Sequence, residues 1–343
     1  MYRFFRPFLF QLDPEAAHQL TLQLLRLGGL PPFNALLRAM YAAPDKPVEA
    51  FGLKFKNPVG LAAGYDKDGV VMRGLSTLGF GHIEIGTVTP RPQAGNQRPR
   101  IFRLVEDQAV INRMGFPGKG AQYVSDQLSA SDHNRPRTTV IGVNLGKNKD
   151  TPLEEAASDY IALMRQFIFM ADYLAINISS PNTVGLRRLQ GREMLEQLLG
   201  AIANERQTIA LGRGGNAPLL VKLAPDLSED ELDDAIDVIL RTGMDGIIAT
   251  NTTLAREGLH SKFKAESGGL SGRPLTGRAD EVLTQVVKKV GGRIPIVGVG
   301  GIMNPEDAIR KLDLGATLVQ VYTGLVYAGP GLVKSIVKKL RKP

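Results

Sequence analysis

The sequence predicts an α/β fold, a (β/α)8 barrel carrying an N-terminal two-helix extension, and three observations predict it. Eight short apolar, β-branched runs recur along residues 46–343, helical segments of about 10–18 residues lie between them, and no GxGxxG follows the first run, which disfavours an open doubly wound sheet. The length of 343 residues would suit two domains at roughly 150 residues each, but a barrel of this kind takes about 200–250 residues as one unit.

Taken in order, Asp13 followed by Pro14 and Glu15 marks a helix start, and Ala17, Leu20, Leu24 and Leu27 share one face before Gly28-Gly29 stops it. After Pro31-Pro32, the residues Phe33, Leu36, Leu37, Met40 and Tyr41 keep helical spacing, and Ala42-Ala43-Pro44-Asp45-Lys46-Pro47 reads as a linker. The expected division is therefore an extension over 1–45 and a barrel over 46–343, the extension being either a cap on the body or an interfacial membrane element. The eight strand runs are 58–63, 82–87, 139–144, 173–178, 219–223, 246–250, 294–299 and 317–322. Two connections, Pro90 to Pro117 and Leu254 to Pro274, exceed ordinary loop lengths and predict a lid or a site wall.

Composition removes whole classes of chemistry. Cys 0 excludes disulfides, a thiolate nucleophile, cysteine-ligated zinc and a protein-held iron–sulfur cluster, and His 4 disfavours a multi-histidine metal site. Lys+Arg 42 against Asp+Glu 34 gives a net +8, an excess that suits anionic ligands or an anionic membrane surface. Nucleic acid is disfavoured, because the basic residues are scattered and aromatics are only 6%. The C-terminal run Lys334, Lys338, Lys339, Arg341 and Lys342 pairs with a helix C-terminal dipole. No stretch approaches the ~20 apolar residues of a spanning helix. Phe4, Phe5, Phe8, Leu9 and Phe10 beside Arg3 and Arg6 make neither a sustained apolar run nor a signal peptide.

In such a barrel the reacting groups sit at the C-terminal ends of the strands. There stand Asn144, Asn177, Lys222 and Thr250-Asn251-Thr252, polar groups that cost a few kcal/mol in a buried strand unless they are bonded. Lys222 needs an anion, either a ligand or a carboxylate from another strand such as Glu84. Asn112, Asn144, Asn177, Asn182 and Asn251 together offer the donors and acceptors that a flat ligand with alternating C=O and N–H edges requires. Gly298-Val299-Gly300-Gly301 and Tyr322-Thr323-Gly324 occupy the two positions where barrels commonly bind phosphate. Lys67, after the first strand, adds a cation on the same face or else pairs with Asp66 or Asp68. None of His18, His82, His133 and His260 is placed as an obvious base, which leaves a hydroxyl or a carboxylate. On these residues alone, a metal-free aldolase or phosphosugar isomerase and a non-enzymatic membrane-surface scaffold both stay open.

At Asn177-Ile178-Ser179-Ser180-Pro181-Asn182-Thr183, with Asn112-Arg113-Met114-Gly115-Phe116 and Ile248-Ala249-Thr250-Asn251-Thr252-Thr253, the sequence resembles the dihydroorotate dehydrogenases of the membrane-associated, quinone-reducing class 2. The resemblance runs from Phe10-Gln11-Leu12-Asp13-Pro14-Glu15, with His18, to the last strand. It implies a TIM barrel with non-covalent FMN and oxidation of dihydroorotate to orotate in pyrimidine synthesis, the proton leaving C5 and the hydride leaving C6 for the flavin. By resemblance Ser180 is the catalytic base, and FMN is held by Ala63, Gly64, Lys67, Thr87, Asn144, Asn177, Lys222, Thr250, Gly272, Gly301, Tyr322 and Thr323. Substrate would meet Lys67, Asn112, Arg113, Met114, Gly115, Phe116, Asn177, Asn182, Asn251 and Thr252. The N-terminal helices would lie on the cytoplasmic face of the inner membrane as a peripheral element and admit a respiratory quinone. No metal and no iron–sulfur partner subunit is expected, and the fumarate- and NAD-linked classes, which generally use a cysteine base, are the nearest rivals. Tyr65 stands where the resemblance leads one to expect a smaller apolar residue such as leucine.

Overall fold

The computed structural model describes residues 2–132, 139–213 and 217–340; His133, Arg341 and Lys342 lie outside them, and so does the side chain of Arg3. Eight parallel strands close into a barrel in chain order: β1 (Val59–Leu61), β2 (His82–Val88), β3 (Val140–Leu145), β4 (Tyr173–Asn177), β5 (Leu219–Leu223), β6 (Gly246–Ala249), β7 (Ile296–Val299) and β8 (Leu318–Val321). All eight fall on the predicted runs, because a parallel sheet covered on both faces needs continuous apolar, β-branched sequence.

Alternation along each strand sorts the side chains into two cores. Outward residues such as Ile83, Ile85, Val143, Leu174 and Val221 pack against the surrounding helices. Inward residues, Tyr173, Ala175, Leu220, Ile248, Val297 and Leu318, fill the barrel, which is a packed core rather than a pore. A hairpin, Val48–Ala50 paired with Leu53–Phe55, closes the N-terminal end, with Phe55 fully buried and its ring 5.4 Å from that of His82. Such a buried aromatic contributes about 1.5–3 kcal/mol through its area alone.

Both long connections leave the barrel and meet each other. Residues Ile101–Leu104, Ala109–Asn112 and Gly269–Gly272 make a three-stranded antiparallel sheet over the C-terminal mouth, with Gly269 opposite Asn112. The excursions are thus a site wall with its own small core of Phe102, Leu104, Ile111, Leu259 and Leu270.

Three helices precede the barrel where two were expected: α1 (Tyr2–Gln11), α2 (Pro14–Gly28) and α3 (Phe33–Tyr41). Asp13 caps α2 by accepting the backbone N–H groups of Glu15 and Ala16, as its position before Pro14 predicts. The extra helix α1 contains Pro7 and exposes Phe4, Phe5 and Phe8, so local preference does not explain it. Long-range contacts hold it instead: the Tyr2 hydroxyl donates to the carbonyl of Val326 at 2.5 Å, Arg6 donates to that of Tyr327 at 3.0 Å, and the Phe10 ring meets the Tyr327 ring edge-on. At the other end of the chain, Lys334 donates to the Met40 carbonyl at 2.7 Å and Lys339 pairs with Glu306. Among the described residues no helix is long and apolar enough to cross a membrane.

Candidate functional site

A cavity of about 490 Å³ opens at the C-terminal mouth and runs outward between α2, α3 and the wall sheet. Of the twenty-one residues that the resemblance assigns to the site, all line it except Arg113 and Asn144. Arg113 turns away because its guanidinium pairs with Glu266 at 2.6 Å and stacks over the Phe102 ring. Asn144 lies one layer beneath the cavity floor, fully buried.

Strand register explains how the polar ends converge. Asn177 of β4 sits opposite Lys222 of β5, whereas Asn144 of β3 pairs with Ala175, two residues earlier on β4, so Asn144 supports the Asn177–Lys222 level from below. There the Asn144 carbonyl oxygen accepts from the Thr87 hydroxyl at 2.6 Å and from the Asn177 amide at 3.0 Å. Asn251 extends the chain, donating to Asn177 Oδ1 at 3.3 Å and to Ser179 Oγ at 2.9 Å. From the wall, Asn112 Oδ1 accepts the Asn182 amide at 3.1 Å. Ser180, buried in the loop after β4, accepts the backbone N–H of Asn182 at 3.2 Å.

Lys222 is paired after all, at 3.4 Å from the fully buried Glu84, and it also faces the cavity. Burial pushes the Glu84 carboxyl up, but Lys222, Gln320, Asn144 and Tyr173 outweigh it and hold the group below its ordinary value. Lys67 forms no pair with its sequence neighbours: Asp66 accepts the backbone N–H groups of Val70 and Val71, and Asp68 accepts that of Lys119. The Lys67 ammonium instead donates to the Gly64 carbonyl at 2.7 Å, and desolvation brings its pKa down to about 8 against the opposing pull of Glu15 and Asp68. A desolvated ammonium bonded to a carbonyl rather than to a carboxylate is ready for an anionic ligand.

Towards solvent the cavity becomes apolar, with Leu9, Leu24, Leu25, Leu37 and Tyr41 along it. His18 stands where α2 meets the barrel, 5.0 Å edge-on to Tyr65, and burial together with the Lys67 charge lowers its pKa to about 4, so it is a neutral imidazole. The Tyr65 hydroxyl donates to Thr21 Oγ1 at 3.3 Å, which ties the departing residue to α2. Beneath, Glu15 forms a bidentate pair with Arg100 at 2.7 and 3.2 Å, and Arg103 donates to the Leu9 and Leu12 carbonyls, so the helices are anchored to the wall.

Sequence reasoning passed over Gln320, Ser271 and Arg103 and set His18 aside as no obvious base; all four line the cavity. Gln320 had a signal: it is a polar residue inside Leu-Val-Gln-Val, the criterion that selected Lys222 and Asn177. Ser271 and Arg103 come from contacts of the wall sheet with no local signature.

The family model described as "Dihydroorotate dehydrogenase" matches residues 47–343. The chain belongs to the dihydroorotate dehydrogenase family. It is 52% identical over 329 residues to the "Dihydroorotate dehydrogenase (quinone)" of Anaeromyxobacter sp. (strain Fw109-5), covering 96% of this chain and 89% of that protein. It is 49% identical over 337 residues to the protein of the same name from Escherichia coli O1:K1 / APEC, covering 98% of each. The crystal structure of ligand-free type DHODH from Eimeria tenella superposes with a TM-score of 0.87 at 41% identity, covering 96% of this chain and 94% of that one.

Dihydroorotate dehydrogenases are flavin-dependent oxidoreductases, and the cavity of this family member suits a flat, amide-edged ring. Gln320 and Asn182 both line it and each carries a buried carbonyl oxygen without a hydrogen-bond partner, a cost that an N–H of a bound ligand removes. Among the described residues no group of His, Asp or Glu is arranged to hold a metal ion.

Proposed function

We propose that this chain oxidises (S)-dihydroorotate to orotate, with FMN as the immediate electron acceptor and a membrane quinone as the final one, in the route to UMP. The observation that carries this reading is the convergence of Ser180, the amide set, Lys67 and Lys222 on one cavity whose far end is an apolar passage between α2 and α3. The names of the relatives, both quinone-dependent, and the absence of cysteine favour this acceptor over fumarate or NAD.

Ala63, Gly64, Lys67, Thr87, Asn177, Lys222 and Thr250 would hold FMN, with Asn144 bracing Thr87 and Asn177 from below and Gly272, Gly301, Tyr322 and Thr323 supplying the remaining flavin and phosphate contacts. When bound, FMN supplies a two-electron sink. Lys67 would hold the substrate carboxylate, and Asn112, Asn177, Asn182, Asn251 and Thr252 would bond its ring amides, fixing which face meets Ser180. The backbone segment Arg113–Phe116 closes over that face, with Phe116 at φ +52°, a strained setting for a non-glycine residue. Ser180 Oγ would take the C5 proton as its own hydroxyl proton passes to a water molecule, with the Asn182 N–H holding the oxygen in place.

Residues 1–45 would act as a peripheral membrane element on the cytoplasmic face. Phe4, Phe8, Leu24 and Leu36 are more than half exposed at 71%, 61%, 56% and 58%, an apolar surface suited to the headgroup boundary, and quinone would enter between α2 and α3. The deciding experiment is anaerobic: the purified protein is yellow, is bleached by dihydroorotate and recovers its colour on adding a quinone. A colourless protein, or one that dihydroorotate does not bleach, overturns the proposal.

A further inference from the structure

Asn177, Asn251 and Gln320, which line the site, are joined with the deeper Asn144 in one hydrogen-bonded set with a single direction, and that direction begins at a residue that does not line the cavity. Glu84, fully buried on β2, has an ionised carboxylate that can only accept hydrogen bonds. Its Oε1 takes the Asn144 amide at 2.8 Å, which forces the Asn144 carbonyl oxygen to point away from it. That oxygen can only accept, and it takes the Thr87 hydroxyl and the Asn177 amide. Asn177 therefore presents its own carbonyl oxygen outward, where it accepts the Ser179 hydroxyl at 3.1 Å and the Asn251 amide at 3.3 Å. Asn251 in turn has its oxygen on the backbone N–H of Thr252 at 2.8 Å. The other carboxylate oxygen, Oε2, accepts the Gln320 amide at 2.8 Å, so the unpartnered oxygen of Gln320 is the one left for a ligand. Lys222 completes the set at 3.4 Å from Oε1.

An asparagine or glutamine side chain is nearly symmetric in shape, so packing alone does not decide which end donates. A single acceptor-only group at the head of the chain does decide it, and the choice passes from Asn144 to Asn177 to Asn251 because each of these oxygens meets a donor. We propose that Glu84 is a positioning residue: it sets the donor and acceptor pattern that the floor of the site shows to flavin and substrate, and it holds the Lys222 ammonium there. The proposal rests on the functional reading above.

The test uses full-length, FMN-loaded protein and two measurements besides turnover: release of FMN on dilution, followed by flavin fluorescence, and orotate binding, followed by the change it causes in the flavin spectrum. Glu84→Gln keeps size and shape but adds a donor, so Asn144 is no longer oriented. Expected results are FMN loss at least tenfold easier and an orotate dissociation constant raised at least tenfold, with Glu84→Asp, which keeps the acceptor-only character, recovering part of both. Values within twofold of wild type in Glu84→Gln overturn the proposal. If that variant does not fold because Lys222 is left unpaired, Lys222→Met is compared with Lys222→Met/Glu84→Gln at a pH above the raised Glu84 pKa, where the single variant keeps an ionised, acceptor-only carboxylate and the double variant strands no charge. A tenfold weaker orotate affinity in the double variant supports the inference, and equal affinities overturn it. Wild-type protein that binds neither FMN nor orotate would instead remove the functional reading itself.

Discussion

Replacing Lys222 by methionine leaves Glu84 without its countercharge at a site fully shielded from water. Breaking a buried pair by removing one partner costs about 3–5 kcal/mol. At about 2 °C per kcal/mol for a chain of this size, the melting temperature at pH 7 falls by about 6–10 °C. The loss depends on pH. In the wild type the folded Glu84 carboxyl lies below its ordinary value, so its contribution is present at neutral pH and is lost as pH falls through the folded pKa. Without Lys222, burial raises the folded pKa above the unfolded one; the group now destabilises at high pH, and the penalty disappears as pH falls below the unfolded value. The gap between variant and wild type therefore shrinks between pH 7 and about pH 4. Thermal denaturation by circular dichroism checks this, with saturating FMN added throughout so that flavin loss does not masquerade as lost packing. Adding Glu84→Gln to the methionine variant restores most of the deficit. A Lys222→Met protein that melts with the wild type at pH 7, or whose deficit is unchanged at pH 4, refutes the pairing argument.

Ser180→Ala retains bound FMN but slows its reduction by dihydroorotate about 10²–10⁴-fold in stopped flow, the range for losing a positioned proton acceptor; wild-type reduction would remove the serine from that role. Orotate affinity is flat up to about pH 8 and falls up to tenfold per unit above it, because Lys67 loses its charge near that value and only the ammonium attracts the carboxylate; a spectral titration that stays flat to pH 9.5 contradicts the assignment. Phe4→Glu with Phe8→Glu reduces sedimentation with anionic liposomes while flavin reduction stays at the wild-type rate, since both rings point to solvent. Unchanged liposome binding would place the membrane contact elsewhere.

Eight strands, their order and the level at which the polar residues stand follow from the sequence, because period and strand-end chemistry are local properties. Asn177 and Lys222 announce themselves as polar groups in apolar runs, and Cys 0 removes sulfur chemistry without any coordinates. Helix α1 has no such local signature: Pro7 and three exposed phenylalanines argue against it, and the contacts that hold it come from residues 94 to 324 positions away. The wall sheet likewise forms only because two excursions, at 101–112 and 269–272, meet over the mouth. Arg113 belongs to a site segment by sequence, yet Glu266 and Phe102, one of them in the other excursion, draw its side chain away.

Glu84 and Lys222 show the division most sharply. Alternation places each of them inside the barrel, but β2 and β5 are not neighbours, and only closure of the sheet carries the carboxylate to 3.4 Å from the ammonium. Sequence determines which residues face inward, since that depends on a period of two along one strand; which inward residues touch depends on how eight strands tilt around a common axis, a property of the whole barrel.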